Sequence, residues 1–328
     1  VASTHSPPPH RARTPTPADL LALGDLDDHD LQALLARADE LADALAHNPT
    51  LVLPTLQGHA VGLLFFEDST RTRHSFAMAA YRLGTHALEL TAPGSSLSKG
   101  ETLEDTARTI EALGVSALVV RAASRADIDR IARAVTIPVI SAGAGDDEHP
   151  TQGLLDALTL CRATTTQERP RTRPADLAGL TVLLLGDLAR SRVARSTGPC
   201  MARLGARVLL AGPAIDQPLA HRLAGEPAED PDEALANADA AIALRIQHER
   251  RGEANAIDPG TLRERYGLTA RRQARMKPGA WVMHPGPMNL GVEIDEHVAR
   301  GERSLIAHQV RTGVPVRMAC LERAIRPR

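Results

Sequence analysis

The chain has 328 residues, 43% of them hydrophobic but only 2% aromatic, and its 38 basic side chains nearly balance 40 acidic ones. That length suits about two domains with cores of Leu, Val, Ile and Ala. The composition excludes the aromatic platforms that stack single-stranded nucleic acid, and it shows no global basic footprint for a nucleic acid or a membrane surface.

Residues 1–17 are Pro-rich, lack the apolar stretch of a secretory signal, and are expected to form a disordered extension. Residues 18–46 carry apolar side chains at helical spacing and read as one or two helices. Strands are then expected over 59–67, 86–91, 115–121 and 138–142, with helices over 70–83, 102–113 and 127–135. Short apolar strands alternating with helices imply a parallel sheet covered on both faces. Residues 149–163 read as a long connecting helix, and the polar segment 164–178 as a linker. A second series opens at Gly179, with strands over 181–185, 207–211, 240–244 and 280–283 and helices over 191–204 and 232–238. Residues 304–326 are largely helical, with a disturbance expected at Gly313 and Pro315. The expected fold is α/β: two doubly wound parallel-sheet domains, 18–163 and 179–303, joined by a connecting helix and followed by a C-terminal helix in 304–328. The three cysteines, Cys161, Cys200 and Cys320, are widely spaced and give neither a disulfide framework nor a Cys-x-x-Cys site, so a reducing cytoplasm is expected. No apolar run approaches the ~18 residues of a membrane span.

Ser69-Thr70-Arg71-Thr72-Arg73 directly follows the apolar run 61–66. A strand that turns into a helix there aims unpaired N–H groups and the positive end of the helix dipole at one point, where anions bind. The plainer reading is a capping serine ahead of a solvated basic turn. Arginines at a helix N-terminus oppose the dipole, however, and a bound phosphate would offset that repulsion. Ser95 and Lys99 lie in a loop before the next helix, where Gly100 allows close backbone approach; a surface loop is the alternative. His149-Pro150-Thr151-Gln152 opens the connecting helix, placing an imidazole donor and an amide beside each other unless His149 is only a cap. Arg121, then Asp187, Arg190, Ser191, Arg192 and Arg195, then Arg245 and Gln247, then His284-Pro285-Gly286-Pro287 all follow strand ends. Ligands of open α/β sheets bind at that edge. Singly these are polar loops. Together they offer a phosphate cradle in one half and arginines suited to carboxylates in the other.

These residues resemble the catalytic chains of the aspartate carbamoyltransferase family. The resemblance rests on Phe65-Phe66-Glu67-x-Ser69-Thr70-Arg71-Thr72-Arg73-x-Ser75-Phe76, Ser95 to Glu101, His149-Pro150-Thr151-Gln152, Ser191-Arg192-Val193-Ala194-Arg195-Ser196, Leu244-Arg245-x-Gln247-x-Glu249-Arg250, His284-Pro285-Gly286-Pro287 and the tail from Gln309 to Ala319. Ornithine carbamoyltransferases share Ser-Thr-Arg-Thr-Arg and His-Pro-x-Gln. Lys99-Gly100-Glu101, Arg245-x-Gln247 and the His-Pro-Gly-Pro turn favour aspartate, and the Cys-Leu-Pro turn of the ornithine branch is absent. The resemblance implies a carbamoyl phosphate-binding first domain, an aspartate-binding second domain and a C-terminal helix packing back on the first. It implies that Ser69, Thr70, Arg71 and Thr72 hold phosphate, and that Thr72, Arg121 and His149 polarise the carbamoyl oxygen. Gln152 and the carbonyls of Pro285 and Gly286 would hold the carbamoyl NH2, and Arg192, Arg245 and Gln247 the aspartate. Ser95 and Lys99 would reach into a neighbour's site in a homotrimer, and regulatory chains or dihydroorotase are the family's partners. No metal or organic cofactor is indicated.

The chain departs from the family pattern at four places: Leu290 where an arginine is usual after Asn289, Ala189-Arg190 before Ser191, Gly143-Ala144-Gly145, and Ala122 after Arg121. Leu290 is expected to weaken aspartate affinity before it affects the chemistry. Two alternatives stay open, a carbamoyltransferase for another amine and a weakly active homologue kept as a structural partner.

Overall fold

The computed structural model describes residues 13–91, 100–245 and 259–326. In the first domain, α1 (Asp28–His47) precedes β1 (Ala60–Phe65), α2 (Thr70–Arg82), β2 (His86–Thr91), α3 (Leu103–Ala112), β3 (Ala117–Ala122), α4 (Arg125–Ala134) and β4 (Val139–Ala144). The strands are all parallel in the order β2-β1-β3-β4. The inner strand β3 is buried at every position and β1 at all but its first, as apolar runs covered on both faces require, whereas the edge strand β2 leaves His86 and Glu89 exposed.

The connecting helix α5 (Pro150–Thr164) leads to β5 (Thr181–Gly186), α6 (Arg192–Arg203), β6 (Arg207–Ala211), α7 (Gln217–Arg222), the two-residue β7 (Glu226–Pro227), α8 (Pro231–Asn237) and β8 (Ala240–Leu244). Then come α9 (Pro259–Tyr266), α10 (Ala270–Gln273), β9 (Trp281–Met283), α11 (Glu296–Ala299) and α12 (Ile306–Ile325). This sheet is also parallel, in the order β7-β6-β5-β8-β9. The two doubly wound domains expected from the strand and helix rhythm are therefore present. The short α7, β7, α9, α10 and α11 were not foreseen, because they are too short to show a period.

α12 returns to pack on α1, α2 and α5, and one apolar cluster runs from Leu31 and Phe76 through Leu158 to Cys200 and Leu321. The disturbance expected at Gly313 and Pro315 does not occur, since α12 continues through both. A proline inside a helix costs about 3 kcal/mol. Burying Val316, Met318 and Leu321, at roughly 1.5–3 kcal/mol each, outweighs that. Gly313 is there for space, because a Cβ would collide with the Arg317 guanidinium and touch Leu155 and Ser75.

Residues 13–17, within the expected extension, lie against the first domain: Arg13 donates to both oxygens of Asp19 at 2.7 Å and to the Val135 carbonyl at 2.8 Å. In the 164–178 segment, Arg171 pairs with Asp39 of α1 and Thr172 Oγ1 donates to Asp176 Oδ2 at 2.6 Å.

Candidate active site

The C-terminal ends of both sheets face a cleft of about 600 Å³ between the domains. Ser69, Thr70, Arg71, Thr72, Arg121, His149 and Gln152 line it from the first domain, and Arg192, Arg245, Pro285 and Gly286 from the second. Ser95, Lys99 and Gln247 lie outside the described residues.

Each side chain is placed by a local rule. Most helices of the first domain are capped by their own sequence: Asp27, Thr102 and Ser124 accept from the backbone N–H of the third residue of α1, α3 and α4, respectively. At α2 and α5 this does not happen. Ser69 and His149 occupy the N-cap positions without a side-chain capping bond, and neither helix has an acid in its first turn. The positive ends of both helices thus point into the cleft.

Arg71 meets Arg245 across the cleft, and burial together with that like charge lowers the Arg71 pKa. Two guanidiniums facing each other call for an anion between them. Arg71 also lies on the backbone of Gly286, where a Cβ would stand 2.8 Å from Arg71 Nε; Gly286 has φ +66° and precedes a cis peptide to Pro287. This turn is held by His284, whose Nδ1 accepts from Gly286 N at 2.8 Å while Nε2 faces Glu293 Oε1 at 3.3 Å.

His149 Nε2 lies 3.2 Å from Thr72 Oγ1. Burial, and then the charges of Arg121, Arg317 and Arg192, hold its pKa well below 6.5. The ring is neutral at pH 7, and whichever nitrogen carries the proton, it can give one hydrogen bond and does not add a fourth charge. Arg121, buried at the end of β3, donates to Ala142 O at 3.3 Å.

Sequence reasoning missed several cleft residues. Glu67 Oε2 sits 3.5 Å from Arg121 Nε and 2.9 Å from Arg192 Nη1, bridging the domains. Arg192 also donates to Gly145 O at 3.0 Å. Arg317 of α12 is buried over the Phe76 ring at 5.3 Å and donates to Ser75 Oγ at 2.9 Å; burial lowers its pKa to about 10, so it stays cationic at neutral pH. Asp156 and Gln309 form a buried polar cluster beneath Gln152. An acid at a strand end before a basic turn was the one available signal, for Glu67. By spacing alone Asp156, Gln309 and Arg317 read as polar positions on helices, although Gln309 and Arg317 stand in the tail that carries the resemblance.

Among the departures, Ala122 and Ala144 are register partners buried in β3 and β4, and Leu290 is 40% exposed and does not line the cleft. Ala189 accepts from Arg195 Nη2 at 3.0 Å through its backbone carbonyl, a bond that does not depend on its side chain.

Two α/β domains that close a cationic, amide-lined cleft define a class, and residues 18–162 and 178–323 match it in turn: the carbamoyl-P binding domain and the Asp/Orn binding domain of the aspartate/ornithine carbamoyltransferases. The chain belongs to this family. Within it, the chain is 48% identical over 293 residues, 87% of this chain and 95% of the relative, to the aspartate carbamoyltransferase catalytic subunit of Myxococcus xanthus. Among solved structures it resembles aspartate transcarbamoylase from Trypanosoma cruzi in complex with N-(phosphonacetyl)-L-aspartic acid, at TM-score 0.81 and 29% identity, covering 94% of this chain and 97% of that one. Ornithine carbamoyltransferase from Pyrococcus furiosus is similar at TM-score 0.81 and 26% identity with the same coverage. Among the described residues no helix is long and apolar enough to cross a membrane.

Proposed function

We propose that the cleft transfers the carbamoyl group of carbamoyl phosphate to the amine of L-aspartate, giving N-carbamoyl-L-aspartate and phosphate, the aspartate carbamoyltransferase step of pyrimidine synthesis. One observation carries this reading: the uncapped N-terminus of α2, with Arg71, faces Arg192 and Arg245 of the other domain across a single cleft. A dianionic phosphate at one end and a dicarboxylate at the other satisfy both sets of charges.

In this reading Ser69, Thr70, Arg71 and Thr72 hold the phosphate. Arg121, Thr72 and neutral His149 donate to the carbamoyl oxygen as it becomes negative. Gln152 and the carbonyls of Pro285 and Gly286 accept from the carbamoyl NH2. Arg192, Arg245 and Gln247 orient aspartate so that its amine attacks the carbamoyl carbon. The C–N bond forms, the tetrahedral adduct collapses, and the C–O bond to phosphate breaks. The leaving phosphate takes the amine proton, so no protein base is required. Catalysis is then positioning and electrostatics in a site that closes against water. Glu67 supports closure, since it joins Arg121 and Arg192 from opposite domains.

The working unit in this reading is a cytoplasmic homotrimer, in which Ser95 and Lys99 of one chain complete a neighbour's cleft. The purified full chain, supplied with carbamoyl phosphate, is expected to carbamoylate aspartate and not ornithine. Turnover with ornithine would move the assignment to another amine, and no turnover from a verified trimer would favour the structural-partner alternative.

A further inference from the structure

Below the cleft, three donors converge on one buried carboxylate. Asp156 of α5 has no exposed surface. Its Oδ1 accepts from Gln152 Nε2 at 2.8 Å and from Gln309 Nε2 at 2.7 Å, and its Oδ2 accepts from Thr197 Oγ1 at 2.8 Å. The donors come from α5, α12 and α6. Gln309 Oε1 in turn accepts from His284 N at 2.9 Å, the first residue of the His284–Pro287 turn.

A side-chain amide has two unlike ends, and which end faces the substrate decides what it recognises. An ionised carboxylate only accepts, so each glutamine must turn its NH2 end toward Asp156. Gln152, which lines the cleft, is left with its carbonyl oxygen for the ligand. Gln309 is left with its carbonyl for His284 N, which anchors the turn that carries the Pro285 and Gly286 carbonyls. One buried charge therefore orients acceptors on both sides of the cleft.

We propose that Asp156 is a positioning residue that makes the cleft select an NH2 group: it fixes the Gln152 amide and, through Gln309, the His284–Pro287 turn, so that acceptors alone face the carbamoyl nitrogen. This rests on the carbamoyl phosphate reading above. Leucine branches at Cγ as aspartate does, but it is bulkier and offers no acceptor. What leucine cannot do is dictate the direction of two amides.

The state of the carboxyl supports the geometry. Burial raises its pKa to about 6, while the three donors and Arg317 of α12 pull it down. The Cys200 thiol of α6 also lies near it, and burial pushes that thiol up to about 12 and keeps it neutral. Asp156 is thus an acceptor at neutral pH. Once protonated at Oδ2 it would keep Oδ1 as the acceptor of both amides and donate to the Thr197 hydroxyl, as an asparagine would.

Acetyl phosphate is the probe, because it replaces the carbamoyl NH2 with a methyl group of nearly the same size. Wild-type protein is expected to bind carbamoyl phosphate more tightly than acetyl phosphate. Asp156→Leu should shrink that preference by about tenfold or more while inorganic phosphate affinity moves by less than about twofold, because phosphate is held by Ser69–Thr72. Asp156→Asn keeps an acceptor oxygen and should retain most of the preference. A leucine variant that keeps the full preference, or one that loses inorganic phosphate equally, overturns the proposal. If wild type itself shows no preference and no turnover, the carbamoyl reading fails. If wild type turns over aspartate but the leucine variant still discriminates, only the role of Asp156 fails.

Discussion

The two domains repeat one construction, a parallel strand turning into a helix at a serine, and use it in opposite ways. In the second domain β5 leads to Ser191, whose Oγ accepts from Ala194 N at 3.1 Å and so closes the end of α6. The helix spends its own cap, and what it presents is Arg192, held against Glu67 of the other domain at 2.9 Å. In the first domain β1 leads to Ser69, which makes no such bond, and the first turn of α2 carries Arg71 and Arg73 with no acid. A closed end supports a side chain that reaches out. An open end keeps its backbone N–H groups for something that arrives. In the proposed reading the same local motif gives stability in one place and a binding site in the other, and the difference lies in whether the serine caps its helix or not.

The largest expected effect tests the open end. Arg71→Ala should lower turnover by about 10²–10³, the usual loss for one donor to developing or leaving charge, while the melting temperature stays level or rises because the repulsion with Arg245 is gone. A large loss of stability in that variant would mean Arg71 holds the fold, and the contrast between the two turns would lose its basis. Gly286→Ala should come next. It forces a side chain into φ +66° and against Arg71 Nε, so both stability and carbamoyl phosphate affinity should fall. The backbone strain alone should cost about 1 kcal/mol or more, read by denaturant unfolding.

The serines themselves give the most direct comparison. Ser191→Ala removes a cap and should cost about 1 kcal/mol of stability with little change in carbamoyl phosphate affinity. Ser69→Ala removes no cap, so its stability should stay within about 0.5 kcal/mol of wild type, and its loss should appear in phosphate binding. If both serines behave alike in unfolding, the distinction between a spent cap and a free one is wrong.

This contrast also shows where sequence reading stops. The strands, the turn at Ser69–Arg73 and the helix start at His149 were legible, because periodicity and turn chemistry are local. Whether a serine caps its helix was not, since Ser69 and Ser191 look alike on paper. Glu67 meets Arg192 across 125 residues and Gln309 meets Asp156 across 153, and no spacing rule reaches so far. Gly313 and Pro315 misled for the opposite reason. Their local propensities are poor for a helix, and the tertiary packing of α12 overrides them.

A smaller effect comes from the buried histidines. Burial, then the charges of Arg121, Arg317 and Arg192, lowers the His149 pKa, and burial does the same for His284 despite Glu293. In the unfolded chain both titrate near 6.5. Below that pH the unfolded state binds more protons than the folded one, so stability falls as pH falls, by at most about 1.4 kcal/mol per pH unit for a ring that stays neutral in the folded state. Asp156 acts in the other direction. Its folded pKa of about 6 lies above the usual 3.8, so the folded state holds the extra proton between those values and gains stability as pH falls through 6. His149→Gln should therefore flatten the loss between pH 6.5 and 5.5 by up to about 1 kcal/mol. An unchanged slope would show that His149 takes up its proton in the folded state.

The smallest effect is expected where the chain departs from its family beside the second domain's turn. Leu290 is exposed and outside the cleft lining, yet the loop it occupies is tied to the site. Asn289 N donates to Glu293 Oε1 at 2.5 Å, Gly291 N donates to Ile294 O at 2.9 Å, and Glu293 also faces His284 at 3.3 Å. A leucine there contributes neither charge nor hydrogen bond to that loop. Leu290→Arg should lower the aspartate KM by about twofold, the scale of an exposed charge acting through a screened surface, with kcat and carbamoyl phosphate affinity unchanged. The effect should shrink as salt is added. A KM that does not move at low salt would mean the loop positions the His284–Pro287 turn through its backbone and Glu293 alone, and that the closed, self-sufficient construction of the second domain extends from Ser191 to this turn as well.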